Sequence, residues 1–337
     1  MALSGLLRES RFPPHRAGAG QVARRDHGGG GDENAFFPSE SVMNAMSGAD
    51  PSATPWSVRL LRFPLTRIAV ALLFIALPFA AVAIPFNLFV VDKSLKKVGA
   101  LLLTAIILCA YVGYVRLVEK RAVAEISRQH AARELGSGLF IGSLLLSLTI
   151  GVLAALGVYR VTGNNGWAAL WATVPGFILG AVLEEVVMRG IVFRILEKSL
   201  GSWIAVAISA ALFGLLHLLN PGATWLNAAS VMLEAGVMLA AAYMLTRRLW
   251  LCIGIHFAWN FTQGGVFSAA VSGGKSSGFL QGQMTGPTWL TGGAFGAEGS
   301  LVALVVCIVA GLLLLIAATR RNHVIPPFWS AGIRPVA

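Results

Sequence analysis

Residues 181–197, AVLEEVVMRGIVFRILE, set Glu184, Glu185 and Arg189 among apolar neighbours. Further along, FGLLH (213–217) ends on His217, VMLEAGVML (231–239) encloses Glu234, and HFAWN (256–260) holds His256 and Asn260. These residue types supply the parts of a water-mediated hydrolysis: a carboxylate base, one or two imidazoles, and an amide donor for an oxyanion. Glu184, His217 and His256 can equally hold a divalent metal such as zinc, with a position left for water. The HExxH pattern of zinc proteases is absent from the sequence.

Helix geometry divides the group. Glu185 and Arg189 are four residues apart, so they can pair on one helix face, carboxylate N-terminal to cation. Glu184 then points about 100° away and is the carboxylate without a local partner. His256 and Asn260 share a face by the same spacing. This assigns chemistry to Glu184, His217, His256 and Asn260, and a supporting role to Glu185 and Arg189. Glu234 is read as supporting too, lining the same cavity or pairing with Arg189. A bland alternative stands beside this: buried polar side chains can simply hold helices together.

The elements that must position these residues are membrane spans. Of 337 residues, 56% are hydrophobic and 12% charged, with a mean hydropathy of +0.74. Soluble domains carry about 25% charged residues, so the expected class is an all-α, polytopic helical membrane protein. Eight apolar stretches are expected to cross the bilayer, near 66–91, 98–115, 138–159, 169–193, 203–219, 225–245, 249–268 and 300–318. Six ionisable residues lie well inside them, and each carboxylate or arginine at the bilayer centre costs about 2.5–3.5 kcal/mol on insertion scales, which favours a functional reason for keeping it. Depths counted along each span agree to within about 10 Å, so convergence on one site is left to the fold. Pro78, Pro85 and Pro175 predict kinks, and the NPG turn at 220–222 predicts a hairpin between the fifth and sixth spans.

The net charge of +11 reads as a loop bias. With both termini inside, inner segments carry fourteen Lys and Arg near span ends and outer loops five, so an N-in, C-in arrangement in the cell (inner) membrane is expected. No basic stripe interleaved with aromatics points to nucleic acid. RLVEKRAVAEISRQHAAREL (116–135) alternates charge at helical spacing, which predicts an amphipathic helix on the inner surface. Residues 268–299, rich in Gly, Ser and Thr, are expected as an outer loop. Residues 1–58 read as a disordered tail, with Met43 and Met46 as alternative starts; 59–320 form the core and 321–337 a short cytoplasmic tail. Cys109, Cys252 and Cys307 are scattered through apolar runs, with neither disulfide nor zinc spacing.

EEVVMR (184–189), FGLLH and HFAWN together resemble the EExxxR, FxxxH and HxxxN motifs of the CPBP family, the CAAX-protease and bacteriocin-processing (Abi) intramembrane proteases related to type II CAAX prenyl endopeptidases. LVEKRAVAEI and GPTWLTGGAFGAEGS also look like bacterial members, so the likeness extends over about residues 60 to 320. The resemblance implies that Glu184 activates water with help from His217, that His256 and Asn260 bind the oxyanion, and that Arg189 and Glu185 hold the site. It implies a membrane-associated peptide or protein substrate and either a divalent metal such as zinc or a metal-free glutamate mechanism. The competing expectation is a non-catalytic membrane scaffold or immunity-type protein that binds another membrane protein.

Overall fold

The computed structural model describes residues 63–330. The expectations for residues 1–58 and for a start at Met43 or Met46 lie outside the described residues, as does the end of the C-terminal tail, 331–337.

Helix α1, Pro64–Phe89, begins on a proline, where the missing N–H costs nothing, and continues through Pro78 and Pro85. The Asp92 side chain accepts from Leu95 N and caps α2, Lys93–Gly113, which runs on into a π turn, Tyr114–Val118. Helix α3 is Ala131–Ala155, and strand β1, Tyr159–Asn164, follows. Helix α4, Trp167–Glu185, passes through a π segment, Val186–Phe193, into α5, Arg194–Leu200. Helix α6, Ser202–Leu216, ends in a 3-10 turn, His217–Leu219. Thr224 and Asn227 form a reciprocal cap for α7, Trp225–Val231, which continues through a π turn, Met232–Gly236, into α8, Val237–Thr246. Helix α9, Leu249–Asn260, also ends in a π segment, Phe261–Val266. Strand β2, Leu280–Met284, short helix α10, Thr288–Thr291, and helix α11, Leu301–Arg320, complete the order.

Among the described residues, six helical stretches are long and apolar enough to cross a membrane: Pro64–Phe89, Lys93–Val118, Ala131–Ala155, Ser202–Leu219, Trp225–Thr246 and Leu301–Arg320. The stretches expected at 169–193 and 249–268 are not among them. The first contains Glu184, Glu185 and Arg189, and the second holds a helix of only 12 residues before its π segment. The π turns in these elements fall beside the buried polar groups, a common place for such bulges.

Three glycines bring α3 and α9 together. A Cβ at Gly142 would lie 2.3 Å from the Ile255 carbonyl, one at Gly138 2.5 Å from the Leu251 carbonyl, and one at Gly254 2.7 Å from the Leu135 carbonyl. Between apolar helices in lipid, such small residues permit the backbone approach that stabilises the pair. Helix α9 also packs on α4 and α8, and α8 on α11, so α9 sits inside the bundle with most of its residues buried.

One loop expectation is corrected. Residues 116–135 do not form an amphipathic surface helix; they hold the end of a π turn, a 3-10 turn at Ala124–Ile126 and the start of α3. The reason is electrostatic. Glu119 and Glu125 turn inward to pair with Arg67, Arg121 and Arg194, and these contacts from distant elements override the local helical pattern. The segment 268–299 includes β2, which pairs antiparallel with β1, with Tyr159 opposite Met284 and Arg160 opposite Gln283. The Tyr159 hydroxyl donates to the Phe267 carbonyl at 2.9 Å and ties this segment to the end of α9.

Candidate active site

The polar residues of α4, α6, α7–α8 and α9 meet inside the bundle. The C-terminal turn of α4 presents Glu184 and Glu185 on different sides. Glu185 is fully buried; its Oε1 accepts from Arg189 Nη1 at 2.9 Å and from His256 Nδ1 at 2.7 Å. Arg189, 1% exposed, donates its Nη2 to the Ala235 carbonyl at 2.8 Å and lies with its Cζ 4.7 Å from the centre of the Phe213 ring. One guanidinium therefore joins the π segment after α4, the Met232–Gly236 turn and α6.

Glu184 differs in its surroundings. Its side chain is 38% exposed, yet its Oε2 is buried with no hydrogen-bond partner, 3.8 Å from His256 Nε2. A buried, unpaired carboxylate oxygen is costly, and such groups in a folded protein invite a functional explanation. His256 thus lies between two carboxylates. Because Glu185 is acceptor-only when ionised, the 2.7 Å contact requires a proton on His256 Nδ1. With a proton on Nε2 as well, the ring donates in both directions.

His217 is arranged in the opposite sense. Its Nδ1 contacts the Phe213 carbonyl at 2.8 Å, and a carbonyl can only accept, so the proton sits on Nδ1. The neutral ring then offers Nε2 as an acceptor. His217 and Phe213 line two cavities. The larger, about 300 Å³, is bounded by Leu183, Glu184, Val187, Met188, Leu216 and Asn220. The smaller, about 40 Å³, is bounded by Glu234, His256, Asn260, Ser272, Glu298 and Cys307. That is room for about one water among several polar groups.

Each residue expected from the sequence has a defined place. Glu184 and His217 share the larger cavity; His217, Glu234, His256 and Asn260 share the smaller. Glu185 and Arg189 pair, and Glu185 also holds His256, a contact across 71 positions that helical spacing does not reveal. Among the described residues Glu234 makes no ion pair with Arg189; its Oε1 is buried without a partner instead. Cys252 lies off the cavity, its thiol directed at the Leu239 carbonyl. Glu298 was not expected. It precedes α11 and reaches the smaller cavity, where its carboxylate accepts from the Ser272 amide and hydroxyl. Burial pushes this carboxyl above its ordinary range, against Ser272 and the two imidazoles. The available signal was the GAFGAEGS stretch, a lone acid just before an apolar span.

A metal would need several donors converging at one point. Among the described residues no three His, Cys, Asp or Glu side chains gather into a metal-holding cluster. The Phe213 carbonyl and the Glu185 carboxylate take up His217 Nδ1 and His256 Nδ1, the way a ligating imidazole is held by its other nitrogen, and Glu184 Oε2 has no partner.

Fold and centre define a multi-pass helical membrane protein with an ionisable site within its bundle. Residues 164–262, under a third of the chain, match the family model described as type II CAAX prenyl endopeptidase Rce1-like. This stretch runs from the end of β1 into the π segment after α9 and contains Glu184, His217, His256 and Asn260, and it supports membership of the CPBP, or CAAX-protease, family of membrane proteases. No curated protein and no solved structure matches the chain.

Proposed function

We propose that this chain is an intramembrane endopeptidase that hydrolyses a peptide bond of a membrane-associated substrate, using water activated by Glu184. The observation that carries this is the Glu184 carboxylate, with one oxygen unpartnered and the His256 imidazole 3.8 Å away, at the wall of an apolar cavity of about 300 Å³. Glu184 takes a proton from water while the neutral Nε2 of His217 accepts a hydrogen bond from the same water. The hydroxide equivalent adds to the scissile carbonyl. The Nε2–H of a protonated His256 and the Asn260 amide stabilise the oxyanion that forms. Glu184 then returns the proton to the departing amine, so the carboxylate is regenerated. Glu185 holds His256 in orientation, and Arg189 pairs with Glu185. The lining residues Leu183, Val187, Met188 and Leu216 suit an apolar substrate segment arriving from lipid. No step is routed through a metal.

Purified protein in liposomes, offered lipidated or hydrophobic peptides, is expected to cleave them. Glu184→Gln is expected to lower kcat by about 10²- to 10⁴-fold, the range for loss of a positioned base. Unchanged turnover in a folded Glu184→Gln variant rejects the mechanism. Intact binding of a membrane partner with no turnover in the native chain favours the scaffold reading.

A further inference from the structure

A second polar cavity lies at the end of the bundle where Lys and Arg predominate, away from the motif residues. It measures about 370 Å³ and is lined by Glu125, Arg194, Glu197, Lys198, Arg247 and His323, among others. That size falls within the roughly 300–1,000 Å³ of small-ligand sites. The lining comes from distant parts of the chain: the 3-10 turn at Ala124–Ile126, α5, α8 with the α8–α9 connection, and the segment after α11.

The lining carries Arg194, Lys198 and Arg247 against Glu125 and Glu197, and Arg67, Arg121 and Glu119 join the same ion-pair network. All three carboxylates are committed: Glu119 to Arg67, Arg121 and Arg194; Glu125 to Arg121 and Arg194; Glu197 to Arg247 and to the Ser202 hydroxyl. Arg194 is 4% exposed, donates Nε to the Gly190 carbonyl and Nη2 to Glu119, and leaves its Nη1 without a hydrogen-bond partner.

We propose that this cavity binds a phosphate-bearing anion, supplied by a lipid headgroup or free in solution. A phosphate group offers several acceptor oxygens at once, matching ammonium and guanidinium donors that converge from different elements. Anionic headgroups concentrate beside basic residues at a membrane surface. The proposal is independent of the hydrolytic reading, since none of these residues touches the Glu184 centre.

The test uses the full chain in detergent. Native mass spectrometry measures retention of phosphatidylglycerol against phosphatidylcholine, and calorimetry measures inorganic phosphate. Lys198→Gln is expected to weaken binding about five-fold, the worth of one surface-facing cation, and Lys198→Arg to restore it. Weakening confined to phosphatidylglycerol identifies a headgroup site; weakening of inorganic phosphate binding identifies a soluble anion. No binding of either probe, or equal binding by native and Lys198→Gln chains, overturns the proposal. Should Lys198→Gln fail to fold, amine acetylation of the native chain gives the second readout. Lys198 is exposed, and protection by either probe supports the site, whereas unchanged modification overturns it.

Discussion

His217 and His256 are chemically the same side chain, and their surroundings separate them. His256 donates from Nδ1 to a carboxylate that also accepts from Arg189, whereas His217 donates from Nδ1 to a backbone carbonyl. Each ring is thereby held by Nδ1, which leaves Nε2 for any further contact. The two glutamates divide in the same way. Glu185→Gln leaves Arg189 as a buried cation without its counter-charge, so the protein is expected to lose about 3–5 kcal/mol of stability, read as a lower Tm. Glu184→Gln, at a half-exposed side chain, is expected to lose turnover with little change in Tm. Equal Tm losses in the two variants would contradict this division of roles. Asn260→Ala is expected to lower kcat by about 10²- to 10³-fold with KM little changed, as for removal of one oxyanion donor.

At the scale of elements, α9 is the piece on which the site depends. It carries His256 and Asn260, and its depth in the bundle follows from the glycine contacts with α3. A side chain at Gly142 must displace the Ile255 backbone, next to His256. Gly142→Val is therefore expected to cost about 1–3 kcal/mol through overpacking and to lower activity by moving the imidazole. Gly151, on the same helix, has open space where its Cβ would lie. Gly151→Ala is expected to leave both Tm and turnover unchanged. Thermal unfolding and peptide cleavage on the two variants check the pair. The loop segment before α11 acts at this scale too, because Ser272 and Glu298 latch it against the smaller cavity.

Across the whole molecule, Glu119 joins parts of the chain that are far apart in sequence. It accepts from Arg67 on α1, Arg121 in the following loop and Arg194 on α5. Burial alone would raise its carboxyl, but Arg194, Arg121 and Arg67 outweigh this and hold it at about 2, below its ordinary 4.5. A depressed carboxylate stabilises the fold above its unfolded value and loses that contribution as pH falls through its folded one. Stability is thus expected to be full above pH 4.5 and to decline toward pH 2. Glu119→Gln is expected to be less stable at neutral pH and to show a shallower decline over that window. Chemical unfolding followed across pH measures both effects.

Much of this was legible in the order of residues. Apolar runs long enough for lipid announce a helical membrane protein, because a bilayer demands length and internal hydrogen bonding from any segment that crosses it. Ionisable groups inside those runs mark the centre, and a four-residue spacing brings Glu185 beside Arg189, since local helix periodicity is written along the chain. Contacts between helices are not written there. The grip of Glu185 on His256, the arrival of Glu298 from a distant loop, and the inward turn of Glu119 and Glu125 depend on packing partners dozens of positions away. For the same reason the alternating charges of 116–135 misled: a helical pattern specifies a surface helix only when no stronger partner is near, and Arg194 is such a partner.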